Sequence, residues 1–166
     1  MADSETFMSA WRHAHSKSAF LAGLSSRGVD PSFLKWLTVN ESRPYIERWL
    51  AAGHERYGRL ALNPVPGSAV MRGDYLDAEP PRWLAPDIGS VFVLWSGYME
   101  YGLAQCAWAL FVANYAAMAR ADGEFIAAVT ADMNGVVSVD VERDRLGDRM
   151  LEFTAWGCVV RTPPDS

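Results

Sequence analysis

Apolar residues in the first third of the chain recur at helical spacing. Phe7, Met8, Trp11, Ala14, Leu21 and Leu24 form one stripe, with Ser4 placed to cap its start. Gly28 interrupts the pattern. Asp30-Pro31 then restarts it, with the carboxylate as N-cap, Pro at the first helical position, and Phe33, Leu34 and Leu37 on one side. A third helix is predicted from about Pro44 to Leu62. Its stripe is Tyr45, Ile46, Trp49, Leu50, Tyr57 and Leu60, while Glu47, Arg48, Glu55, Arg56 and Arg59 fall largely outside it. Asn63-Pro64-Val65-Pro66-Gly67 ends this layer. A connection rich in Pro, Gly and Asp follows to about residue 88, because such residues favour turns and exposed backbone.

Near residue 90 the period changes. Ser90 to Trp95 is a β-branched and aromatic run, punctuated by Ser96-Gly97, and Leu103 to Val112 is a second apolar run of strand length. The two read as a hairpin around Gly97–Gly102, buried on both faces. Residues 124–129 read as a helical interlude that ends near Asn134-Gly135. Val137, Val139 and Val141 then alternate with Ser138, Asp140 and Glu142, the mark of a half-buried strand with an acidic outer face. Residues 143–149 form a turn, and Leu151 to Trp156 returns as the last strand. Helices first and strands later predict one α+β domain over 1–166, with N-terminal helices packed on a mainly antiparallel sheet. Its helical layer spans about 4–62, its connection 63–88 and its sheet-forming part 89–162.

Composition supports a folded chain: half of the 166 residues are apolar, with seven Trp, six Tyr and seven Phe. Charge is divided unevenly. Residues 1–73 hold nine Lys/Arg and six Asp/Glu, a balance of +3. Residues 74–166 hold six and fourteen, a balance of −8, and the two sum to the net −5. An acidic surface repels nucleic acid and anionic membranes and attracts basic proteins. Gly102 to Ala119 is the longest weakly polar stretch, and it falls short of the roughly 20 strongly apolar residues of a membrane span. Met1 to Thr6 shows no basic segment followed by an apolar run, so the expectation is a cytoplasmic protein.

Candidate chemistry is sparse. His13 and His15 stand two apart on a helical pattern and point in different directions, and His54 has no Cys or paired carboxylate near it in sequence. No metal site and no cofactor are expected. Cys106 and Cys158 sit among apolar neighbours and read as buried free thiols. Ser96-Gly97 is at most half of a nucleophile elbow, and no glycine-rich phosphate cradle occurs. Asp140 and Glu142 share one strand face roughly 6–7 Å apart, a separation open to acid–base work but set beside Arg143, Asp144 and Arg145, as at a solvated strand end.

The order of features resembles the immunity protein fifty-two family of bacterial toxin systems. The similar parts are Asp30-Pro31-Ser32-Phe33-Leu34-Lys35-Trp36, the strand Val91-Phe92-Val93-Leu94-Trp95-Ser96-Gly97, the apolar run closing on Val112-Ala113-Asn114, and the segment leading to Met133-Asn134-Gly135. Together they span about two-thirds of the chain. The family's opening Trp-Gly strand is not evident, and Trp95-Ser96-Gly97 stands where Trp-Asn-Gly is common. The resemblance implies a non-enzymatic protein that binds and blocks a cognate secreted toxin, typically a nuclease, with no catalytic residues of its own. Asp74, Asp77, Glu79, Asp140 and Glu142 are the expected electrostatic contacts with that partner. Tyr98 and Tyr101, with Glu100 between them, are the expected exposed anchors. The competing readings are a small enzyme or ligand-binding domain that uses the acidic sheet face, and an adaptor or chaperone for a secreted effector.

Overall fold

The computed structural model describes residues 7–8, 12–13, 15–53, 55–56, 59–60 and 69–161. Helix α1 spans Lys17–Ser25. Its cap is Ser16, whose hydroxyl accepts the Ala19 N–H at 3.2 Å; Ser4, Trp11 and Ala14 lie outside the described residues. Gly28 ends the helical region at φ +74, in the left-handed region that glycine enters without strain. Asp30 then caps one 3-10 turn, Pro31–Phe33, accepting the Ser32 N–H at 2.9 Å. The chain extends at once into β1 (Lys35–Trp36).

Helix α2 spans Val39–Gly53, beginning five residues before the expected Pro44 and ending nine before Leu62. The start is set by a capping box. Thr38 Oγ1 accepts the Glu41 N–H at 3.2 Å, and Glu41 Oε2 accepts the Thr38 N–H at 2.7 Å. Pro44 is carried inside the helix, at the loss of one backbone hydrogen bond. Beyond Gly53, β2 (Glu55–Arg56) and β3 (Arg59–Leu60) pair as a small antiparallel hairpin in place of the helix's expected last turns. Tyr57 and His54 fall outside the described residues.

The rest of the chain builds one sheet. Its strands are β4 (Ala69–Asp74), β5 (Ser90–Trp95), β6 (Ala104–Ala107), β7 (Phe125–Val129), β8 (Gly135–Arg143) and β9 (Arg149–Gly157), and β1 joins them. The order is β1-β6-β5-β7-β8-β9-β4, and every pairing is antiparallel. The α+β class and the antiparallel sheet stand as expected; besides the short helix after Asp30 and the last turns of the third helix, three more local assignments do not. The connection 63–88 contains edge strand β4, whose short, half-polar sequence with an interior Gly73 gives a weak strand signal. The run 103–112 divides: four residues pair as β6, and Trp108–Asp122 is helix α4. Its alanines favour helix, and Gly123 closes it in a left-handed cap at φ +85. Residues 125–129 are strand β7, not a helical interlude. The strand sits between β5 and β8 under helices on both faces, so its sequence shows no alternation.

Between β5 and β6 lies a single four-residue turn of helix, α3 (Tyr98–Tyr101). Helices α1 and α4 cover one face of the sheet. There Phe20, Leu24, Trp108, Phe111, Tyr115 and Met118 bury Val93, Trp95, Ile126, Val139 and Phe153. Gly23 lets the two helices approach, since a Cβ there would meet the Ala121 Cβ at 3.0 Å. Helix α2 covers part of the other face, packing Ile46 and Trp49 on Phe92, Leu94, Ala127, Val129 and Val136. Ser42 locks its start: the fully buried hydroxyl donates to Thr38 O at 2.7 Å and accepts the Leu103 N–H at 2.9 Å.

Candidate protein-binding face

Among the described residues, helix α2 buries the second face of the sheet from Phe92 to Val136, with Trp156 of β9 packed against that cluster, and the face becomes exposed toward the ends of β8 and β4. Side chains on that face follow from the register. One row runs Phe125, Asp140, Glu152, Arg72 across β7, β8, β9 and β4, and the next runs Glu142, Met150, Asp74. Ser138 and Thr154, paired and buried, mark the edge of the covered part. Beyond them Glu142, Arg72 and Asp74 are exposed and Asp140 and Glu152 half-buried. Asp74 and Glu142 flank Met150 from opposite sides, about 10 Å apart by two strand spacings.

The sequence reading selected Asp74, Asp140 and Glu142, and the fold brings these three onto one face. It missed Glu152 and Arg72, which complete the same rows. Arg72 Nε donates to Glu152 Oε2 at 2.8 Å, and Ser138 Oγ donates to Asp140 Oδ2 at 2.9 Å. The strand alternation of residues 149–157 carried a signal for Glu152. Arg72 stood in a stretch read as connection.

Asp77 and Glu79 lie just past β4, both exposed. Asp74 organises this turn, its Oδ1 accepting the N–H groups of Leu76 at 2.7 Å and Asp77 at 3.3 Å. Arg120 of α4 donates to the carbonyls of Tyr75 and Leu76 at 2.9 and 3.0 Å. This turn, the β8–β9 turn and α3 all sit at one end of the sheet, where β5, β8 and β4 finish and β7 and β9 begin.

Tyr98 and Tyr101 are half-buried, not the exposed anchors expected. The Tyr101 ring lies 5.8 Å from Trp95, and Tyr98 packs between the two cores. Burial pushes the Tyr98 hydroxyl above its ordinary range. The exposed positions of α3 are Met99 and Glu100, the latter 3.7 Å from Arg12 Nε. Gly102 closes α3 at φ +88, where a Cβ would collide with Leu37 O, so this link is set by close packing.

Below the same end lies a buried carboxylate that sequence reasoning did not single out. Asp122, 7% exposed, accepts from Ser96 N at 2.9 Å, Ser96 Oγ at 2.6 Å and Phe125 N at 3.1 Å. It ties the end of β5 to the junction of α4 and β7. Burial raises its carboxyl above the ordinary range, against the opposing pull of these hydrogen bonds. Ser96 Oγ is therefore a donor to Asp122, a buried carboxylate that joins three elements. Neither cysteine is activated: burial pushes the Cys106 thiol up to about 12, and Cys158, exposed where a buried thiol was expected, is raised as well.

His13 is exposed, and His15 Nε2 stands 3.5 Å from Glu124 Oε1. Among the described residues no group of three or more His, Cys, Asp or Glu is disposed to hold a metal ion, and no helix is long and apolar enough to cross a membrane. No family model, no curated protein and no solved structure matches the chain.

Proposed function

We propose that this chain is an immunity-type inhibitor that binds a basic secreted toxin, a nuclease by preference, through the acidic end and open face of its sheet. One observation carries the reading. Carboxylates dispersed in sequence, Asp74, Asp140, Glu142 and Glu152, converge on the part of the second face that becomes exposed among the described residues, with Asp77 and Glu79 at its margin. A nuclease presents a basic groove to its own substrate, and an inhibitor with the opposite potential steers itself there. The site is a binding face and not a reaction centre, and it uses no cofactor.

Affinity capture with the tagged full chain in its native host, followed by mass spectrometry, tests the proposal. The captured protein is expected to arrest growth when expressed alone and to be silenced by co-expression with this chain. A partner that is harmless when expressed alone overturns the inhibitor reading and favours an adaptor or chaperone. A toxic partner that stays toxic in the presence of this chain overturns it too.

A further inference from the structure

Leu146 and Leu76 are the most exposed large apolar side chains among the described residues, at 87% and 71%. A single exposed leucine needs no explanation; these two share a local design and stand in turns at one end of the sheet, next to β9. Each occupies the third position of an Asp-x-Leu sequence in a turn, Asp74-Tyr75-Leu76 and Asp144-Arg145-Leu146. In each, the aspartate Oδ1 accepts the N–H of its leucine, at 2.7 Å for Leu76 and 2.8 Å for Leu146. Asp144 Oδ1 also accepts the Asp148 N–H at 2.9 Å, and Arg143 Nη1 donates to Gly147 O at 2.9 Å. Arg149, the first residue of β9, bridges from the β8–β9 turn to the other: its guanidinium lies 5.6 Å from the centre of the Tyr75 ring and Nη1 donates to Tyr75 Oη at 3.4 Å. Neither turn requires a leucine for its own geometry, since the hydrogen bonds are made by aspartates and backbone.

The geometry points to a docking surface in which these two leucines enter apolar pockets of a protein partner whose rim carries Lys or Arg; it rests on the inhibitor reading for the partner's class. Rigid turns lose little entropy on binding, so apolar area held on them converts well into affinity. Charge decides the occupant. Residues 69–79 and 135–157, which build this surface, hold eight Asp/Glu against four Arg. A second copy would bring like charges together, an anionic membrane would be repelled, and a basic protein rim is attracted.

The probe is a short amphipathic helical peptide of Leu and Lys, with a Ser-for-Leu version of equal charge as control. The full chain carries carbon-13-labelled leucine methyls for NMR titration. The Leu/Lys peptide is expected to shift the methyl signals of Leu76 and Leu146. The double substitution Leu76→Ser, Leu146→Ser is expected to weaken binding about tenfold with an unchanged Tm, because both side chains already lie in water. Unmoved methyls, equal binding of the leucine-free peptide, or a double variant within about twofold of the parent overturns the surface. In native-host capture, a toxic partner retained equally by parent and double variant overturns the leucine surface and leaves the inhibitor reading intact. If neither captures a toxic partner, the inhibitor reading fails and the peptide titration still decides the surface.

Discussion

Asp122 shows how much of this fold hangs on one side chain. Its oxygens satisfy Ser96 N, Ser96 Oγ and Phe125 N where β5, α4 and β7 meet. Asp122→Ala is therefore expected to destabilise by about 2–3 kcal/mol, since it strands buried donors; urea unfolding measures this. The pH dependence has a defined sign. The folded carboxyl is raised by burial, so its contribution to stability is present at acid pH and lost as pH rises through the folded value. Asp122→Asn does not titrate there. Its stability relative to the parent is expected to improve from the carboxylate range to neutrality, and a constant difference would show that the hydrogen bonds have cancelled the burial effect. At Tyr98 the half-buried ring predicts a fold defect. Tyr98→Ala is expected to lower Tm by thermal scan, an effect that an exposed anchor would not show.

At the scale of elements, capping outweighed periodicity in setting where helices begin. Thr38-Val39-Asn40-Glu41 is a capping box written in the sequence, and it starts α2 ahead of the Pro44 that a proline-at-the-start rule selects. Thr38→Ala is expected to cost about 1 kcal/mol, measurable by chemical denaturation. Hydrogen bonding from Thr38 holds the Glu41 carboxyl below its usual range, so its share of that cap is lost as pH falls through the lowered value. Runs without alternation were harder to read. Ala104–Ala107 is strand and the helix from Trp108 follows it with no charged residue before Arg120, and Ala127 and Ala128 look helical while lying in the buried strand β7.

At the scale of the molecule, the prediction concerns association with the partner. Reversing Asp140 and Glu142 to Lys is expected to slow binding several-fold at low salt and to flatten its salt dependence, as stopped-flow or surface-based kinetics would record. Glu142 is exposed, whereas Asp140 is half-buried and accepts from Ser138 Oγ, so the Tm of the double variant is measured beside its kinetics to separate a fold defect from a lost contact. An unchanged association rate would remove the acidic face from the interface.

The sequence by itself determined the elements whose signals are local. The Asp30 cap, the break at Gly28, the run Ser90–Trp95 and the facing of Val137, Val139 and Val141 each rest on backbone geometry or on period within a few residues, and the structure retains them. The exception is Ser138 on the expected polar face, which is buried, so that the strand is half-buried only from Asp140 onward. It also showed that the second half is acidic and that Asp140 and Glu142 share a side. Only the tertiary structure decided which carboxylates meet. Asp74 joins Glu142 because β9 lies between β4 and β8. Glu152 joins Asp140 through the β8–β9 hairpin register, which the turn sets and strand alternation alone does not. Tyr98 and Tyr101 turned inward because the space beneath α3, beside the neighbouring Trp95, is completed by Phe20 and α2, which are distant in sequence. Hydrophobic burial selects the arrangement that encloses the most apolar surface, and that sum is taken over the whole chain at once.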